Sequence, residues 1–149
     1  MQRLCIYFTQ IDILLNAFSS LSACLHIIGL LIFKDCIFTK KKDDTALRVV
    51  FQGNFHLGSC NGCCKRWFIT FNGAECSGPL PIDAVNFIRH SSQNNHRHGA
   101  IEGYCNNIHK GSIRVGINIG NCAGFGNSDG YTGWNSMSRL IIEEVPPSQ

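Results

Sequence analysis

The chain has 149 residues, 44% of them hydrophobic, and 13 lysines and arginines against 10 aspartates and glutamates leave a formal net charge of +3. That length suits one domain, large enough to bury roughly 68 to 70% of its unfolded surface without covalent help. So small a charge excludes the strongly basic face of a nucleic-acid binder, and glycines that keep no period of three exclude a collagen helix within the chain.

From Ile13 to Phe33 runs an apolar stretch interrupted by Asn16 and His26, long enough at roughly 20 residues to cross a bilayer. Three readings of residues 1–33 stand open. A signal peptide is disfavoured by a lone basic Arg3, by Asp12, and by an apolar run that continues past the small residues Ser19 to Ala23. A single-pass membrane anchor fits the length, although Lys34, Lys40, Lys41 and Lys42 favour a cytoplasmic C-terminal flank. The third reading is a mistaken start in place of the true upstream sequence. Membrane contact is expected only through residues 13–33, if that segment is genuine. Residues 34–45 read as a polar linker, in which Lys40-Lys41-Lys42 is answered at once by Asp43-Asp44 and makes a weak claim on heparin-like polyanions.

Residues 46–149 read as a cysteine-rich all-β domain. Strands are predicted at Ala46 to Phe51, Arg66 to Phe71, Ile82 to Ile88, Ile113 to Ile119 and Ser138 to Val145, each rich in β-branched or aromatic residues. The clearest is the fourth, where Ile113, Val115, Ile117 and Ile119 alternate with Arg114, Gly116 and Asn118. Turns are predicted at Gly53-Asn54, Asn61-Gly62 and Asn72-Gly73, and a glycine-rich loop from Gly120 to Gly133. Short antiparallel strands at this spacing imply a β-sandwich or jelly roll, with an open barrel as the alternative.

Nine cysteines set the compartment, because disulfides persist only where glutathione and thioredoxin do not keep thiols reduced. Cys36, Cys60, Cys63, Cys64, Cys76, Cys105 and Cys122 are the disulfide candidates of an extracellular module. Nine is odd, so at least one thiol is free, bonded between chains, or part of a segment absent from the mature protein. Cys60-Asn61-Gly62-Cys63 has the gap of a zinc or redox motif, which leaves a zinc-binding or thiol-redox protein using Cys60, Cys63 and Cys64 as the alternative function. A tetrahedral zinc site wants a second pair at similar spacing, which is missing. Adjacent Cys63 and Cys64 would face opposite sides of a strand and suit bridges to two different partners.

His96 and His98 would share one strand face, but two imidazoles are not a metal site, and in so polar a segment they read as loop residues. No nucleophile elbow or triad frame is present, Cys105 with His109 is too common a pairing to count, and Glu143, Glu144 and Asp83 read as solubilising carboxylates. No catalytic residue, cofactor or metal is therefore predicted. Tyr131-Thr132-Gly133-Trp134-Asn135 is the partner-binding candidate, because an aromatic pair in a glycine-rich loop makes a stacking platform. The competing reading has Trp134 plugging an open end of the sandwich. Phe68, out of phase with Trp67, Ile69 and Phe71, would face outward and suits a subunit interface.

Phe71-Asn72-Gly73-Ala74-Glu75-Cys76-Ser77-Gly78-Pro79-Leu80-Pro81-Ile82-Asp83-Ala84, together with Thr132 to Ser136, Ser138-Arg139 and Ile141 to Glu144, resembles the C-terminal non-collagenous domain of the collagen triple helix repeat-containing protein family. Cys60 with Cys63 to Trp67, Ala46 to Val49, and Cys36, Cys105 and Cys122 extend the resemblance over residues 34 to 149. It implies a secreted matrix glycoprotein, homotrimeric through a collagenous stem, with a C1q-like sandwich at its C-terminus. It further implies roles in collagen deposition, cell migration and planar-polarity signalling, with Wnt, Frizzled and a co-receptor or matrix components as partners, and no catalysis. The family's signal, collagenous stem and preceding cysteine segment are not found in residues 1 to 33, and no Asn-x-Ser/Thr sequon occurs. An upstream cysteine partner of the family would be missing here unless Cys5 or Cys24 substitutes.

Overall fold

A computed structural model describes residues 2–8, 35–58, 60–91 and 94–147. Among them are ten strands and no helix: β1 Gln2–Phe8, β2 Asp35–Lys40, β3 Ala46–Leu57, β4 Cys60–Phe71, β5 Ala74–Glu75, β6 Asp83–Ser91, β7 Asn95–Cys105, β8 Gly111–Asn121, β9 Gly130–Thr132 and β10 Met137–Val145. One sheet has the order β1-β10-β3-β7 with β9 also on β3, and the other β2-β8-β4-β5 with β6 also on β4. All pairs are antiparallel. Residues of both sheets share one buried cluster, an all-β antiparallel arrangement consistent with the expected sandwich.

The period-two pattern makes the core. On β8, Ile113, Val115 and Ile117 point inward and are buried, while Ser112 and Arg114 are exposed. On β4, Trp67, Ile69 and Phe71 point inward to meet Val49, Phe51 and Phe55 of β3 in one cluster. Phe55 sets its edge at 90° to Trp67, with ring centroids 5.2 Å apart. Phe68 does face outward, half-buried, with the Arg66 guanidinium 4.8 Å above its ring. Arg66 is also held by Glu75 and Asp83, which together keep its guanidinium charged well above the usual arginine range.

Eight cysteines form four disulfides: Cys5–Cys36, Cys60–Cys63, Cys64–Cys122 and Cys76–Cys105. All seven candidates are paired, and Cys5 supplies the eighth partner. Cys24, the ninth, lies outside the described residues. Cys5–Cys36 and Cys76–Cys105 each tie one sheet to the other, whereas Cys60–Cys63 closes a ring within one strand end. Loop-closure entropy assigns roughly 4 kcal/mol to Cys64–Cys122 and under about half that to Cys60–Cys63.

Several segments fall elsewhere than the sequence reading put them. Asp35–Lys40, read as linker, is β2, because Cys36, Phe38 and Lys40 alternate inward with exposures of 0, 1 and 2%. Lys40 donates its Nζ to the Lys42 carbonyl, and the Lys41 and Lys42 amides donate to Glu144 at 2.8 Å, so this run is partly folded into the domain. Gln2–Phe8 pairs with β10 as an edge strand, and residues 13–33 lie outside the described residues. Gly53-Asn54 is not a turn but the middle of β3, since a Cβ on Gly53 would meet Ser138 Oγ at 2.6 Å and the glycine serves close strand approach. Asn72-Gly73 is a turn, with φ of 53° and 89° in the left-handed region. The Gly120 to Gly133 loop is shorter than expected, being strand at both ends.

Gly103 of β7 is another close approach. A Cβ there would stand 2.7 Å from Ile82 Cγ1 and 2.9 Å from its Cγ2, and both atoms belong to a buried side chain. Gly103→Ala is expected to lower stability by about 1 to 3 kcal/mol through overpacking, read as a fall in urea midpoint at unchanged slope.

Candidate partner-binding site

The outward face of the first sheet carries even-numbered residues of β3 and β7, and at one end their register sets His56 opposite both His96 and Tyr131. β9 and β10 follow one another along the same side of β3, and the break between them, Gly133 to Ser136, puts Trp134 over the row. The four rings stack continuously. Tyr131 lies 4.1 Å from His56, His56 lies 4.4 Å from His96, and His96 lies 4.5 Å from Trp134, with interplanar angles of 27°, 38° and 28°.

The break is held by three hydrogen bonds, two of them to β3. Gly133 N–H donates to the Asn54 carbonyl at 2.9 Å, the Thr132 hydroxyl donates to the same oxygen at 2.7 Å, and the Ser136 hydroxyl donates to the Gly133 carbonyl at 3.0 Å. Gly133 and Asn135 take φ of 102° and 50°, conformations glycine and asparagine tolerate best. The Asn54 carboxamide sits 3.3 Å from His96 Nδ1 and fixes that ring. Trp134 is half-exposed and Asn135 exposed, so the loop presents an indole face to solvent. Trp134 does not plug the sandwich: it stacks on His96 with half its surface in solvent, outside the buried core cluster.

His56 is the buried member, 1% exposed. Burial pushes its pKa below the usual histidine value, the neighbouring His96 adds to this, and Asp129 and Asn94 oppose it. Burial likewise raises the Tyr131 phenol, with Asp129 contributing. Between the ordinary histidine value near 6.5 and the lower folded value, the unfolded chain binds the proton and the folded chain does not. Stability at this site is therefore full above about pH 6.5 and falls as pH drops through that window, by at most about 1.4 kcal/mol per pH unit. Chemical denaturation at a series of pH values should show this slope, and His56→Phe, which keeps a stacked ring, should remove it.

His96 and His98 stand on β7 rather than in a loop, because Asn95 to Ala100 pairs along β3. Cys60, Cys63 and Cys64, the candidate zinc or redox residues, are consumed in two disulfides. Among the described residues no three His, Cys, Asp or Glu side chains come together as metal ligands. The carboxylates are engaged structurally: Glu143 with Arg48, Asp83 with Arg66, and Glu144 with Thr45 and two backbone amides. A cleft of about 200 Å³ beside β6 and β7 is lined in part by Val85, Arg97 and Gly99, below the roughly 300 to 1,000 Å³ of small-molecule sites. Tyr131 and Trp134, candidates from the sequence, share one row of rings with His56 and His96, which the sequence did not single out for it and which strand register brings there.

No solved structure matches the chain. A family model described as the CTHRC1 C-terminal domain matches residues 25–142, most of the chain and nearly all of the sandwich. Its matrix-type, non-enzymatic character agrees with the disulfide-rich fold, which fits an extracellular location. On that match, and on the cysteine framework that the structure pairs, the chain belongs to the CTHRC1 C-terminal domain family of extracellular-matrix-related proteins.

Proposed function

We propose that this domain is a non-catalytic interaction module of the extracellular matrix that engages its partner through the Trp134 end of the first sheet. The observation that carries the reading is the four-ring stack: an exposed indole backed by His96, His56 and Tyr131 is a rigid apolar platform with polar neighbours Asn54 and Asn135. Rigid aromatic anchors of this kind concentrate binding energy at protein interfaces. Frizzled with its co-receptor, Wnt, and matrix components are the partners that the family suggests, with modulation of planar-polarity signalling, collagen deposition and cell migration as the outcome.

Self-association into a homotrimer belongs to the same reading. Val85 and Phe87, 58 and 53% exposed, lie on the outward face of the second sheet with Phe125 set edge-on to Phe87 at 5.6 Å, an apolar patch suited to a copy of the chain. Light scattering of the full chain should give three times the monomer mass, and a monomer at micromolar concentration defeats that part.

The test of the platform is Trp134→Ala against immobilised Frizzled ectodomain and against fibrillar collagen. Loss of about tenfold or more in affinity, about 1.4 kcal/mol, for at least one of them is expected. Thermal stability should change little because the ring is half in solvent. Unchanged affinity for both would remove the platform from the function.

A further inference from the structure

Three of the four disulfides span 29 to 58 residues, and the fourth spans three. Cys60–Cys63 joins no two elements. Its cost to the strand is visible in the backbone: three residues of extended chain cover roughly 10 Å, yet the two Cα atoms stand 6.0 Å apart. Gly62 supplies the bend, with φ of 71° and open space where a side chain would lie. The bend also breaks the β4–β6 ladder. Asn61 pairs with His90 and Cys63 with Ile88, while Gly62 and Arg89 between them do not pair. A bond that staples nothing and removes a rung of its own sheet has little structural purpose.

Access is uneven across the pair. Cys60 is half-buried at the strand start and Cys63 is 7% exposed. An incoming thiolate therefore meets the Cys60 sulfur first, with the Cys63 sulfur as the leaving group on the buried side. By contrast, Cys76 and Cys105 are both buried, at 3 and 1% exposure, and Cys5 and Cys36 at 7 and 0%, while Cys64–Cys122 shares the uneven access, with Cys64 at 3% and Cys122 half-buried, but closes a 58-residue loop.

We propose that Cys60–Cys63 is a thiol–disulfide exchange site for an extracellular thiolate. The thiolate attacks Cys60 Sγ, forming a mixed disulfide as the Cys60–Cys63 bond breaks and its electron pair leaves on Cys63 Sγ, which takes a proton from water. A second thiolate then attacks the sulfur of the first thiol in that mixed disulfide. It releases Cys60 as a thiolate that is protonated in turn, so two thiols are oxidised to one disulfide and the pair gains two electrons and two protons. Reduction frees Gly62 to extend and lets it pair with Arg89, so the two redox states differ in the β4–β6 ladder. The site is independent of the Trp134 platform, and neither stands or falls with the other.

The experiment uses the oxidised full chain, incubated with reduced glutathione or with reduced thioredoxin, quenched with iodoacetamide and mapped by peptide mass spectrometry. Cys60 and Cys63 should become labelled together at least tenfold faster than Cys64, Cys76, Cys105 and Cys122, with a glutathione adduct on Cys60 as the intermediate. Reaction with glutathione alone identifies a small-thiol site, and reaction with thioredoxin as well extends it to protein thiols. Opening no faster than Cys64–Cys122, or labelling of both residues before any thiol is added, overturns the proposal. The Cys60→Ser, Cys63→Ser double variant should fold with unchanged near-ultraviolet circular dichroism, and its failure to fold overturns the proposal too, since the bond would then be a staple.

Discussion

Trp67→Ala is expected to lower the unfolding free energy by about 3 to 5 kcal/mol, the range for emptying a large aromatic site. Trp67 is 1% exposed at the centre of β4, and Phe55 is packed edge-on against it from the opposite sheet. No rearrangement of one strand fills that volume, because Val49 and Phe51 are held by the β3 register to β10 and β7, and Phe55 by that to β9 and β7. Against a typical domain stability of roughly 5 to 15 kcal/mol, this loss leaves a substantial unfolded fraction at body temperature. Urea unfolding followed by fluorescence or circular dichroism should show a lower midpoint at unchanged slope. Phe68→Ala, one residue along on the outward face under Arg66, should cost much less. Equal losses at the two positions would contradict the alternation on which the sandwich rests.

That alternation is also what made the fold legible in the sequence. β8 is readable because its inward positions Ile113, Val115 and Ile117 are all β-branched and alternate with Arg114, Gly116 and Asn118, a contrast that only a half-buried strand needs. β2 was not readable as a strand, because Lys40 occupies an inward position and its stem is buried while its amine reaches the Lys42 carbonyl. Gly53 misled for a related reason: composition reports a glycine, and only the tertiary approach of Ser138 tells that it serves contact rather than a turn.

The site was half legible. Trp134 and Tyr131 announce themselves as aromatics among glycines, but His56 and His96 are 40 residues apart in sequence and meet only through an eleven-residue register between β3 and β7. No local pattern carries such a pairing. Cysteine identity was similarly visible while connectivity was not, since Cys5 lies far from the cysteine-rich stretch and joins it only by pairing with Cys36 across the sheets.

Removal of Cys76–Cys105 by the paired change to alanine is the second large effect, expected to cost about 2 to 5 kcal/mol. Both residues are buried, and they join the chain after β5 in one sheet to the end of β7 in the other. Part of the loss is restored freedom in the unfolded chain, and part is native. Two backbone hydrogen bonds flank the bond along the β5 to β6 connection: the Gly78 carbonyl accepts the Asn106 amide at 2.7 Å, and the Ile82 carbonyl accepts the Ile69 amide at 2.9 Å. The Ile82 side chain, 5% exposed, packs against Gly103. With the disulfide gone, these contacts must hold the connection alone. Thermal unfolding of the double variant should therefore begin at a lower temperature, and amide exchange at Ile69 and Asn106 should quicken more than exchange in β8. If the single changes Cys76→Ala and Cys105→Ala each cost more than the pair together, the excess measures the buried thiol left behind, which the double change removes. A double variant as stable as the parent would mean that the two sheets are joined at this end by packing alone, with Gly103 against Ile82 as the contact that suffices.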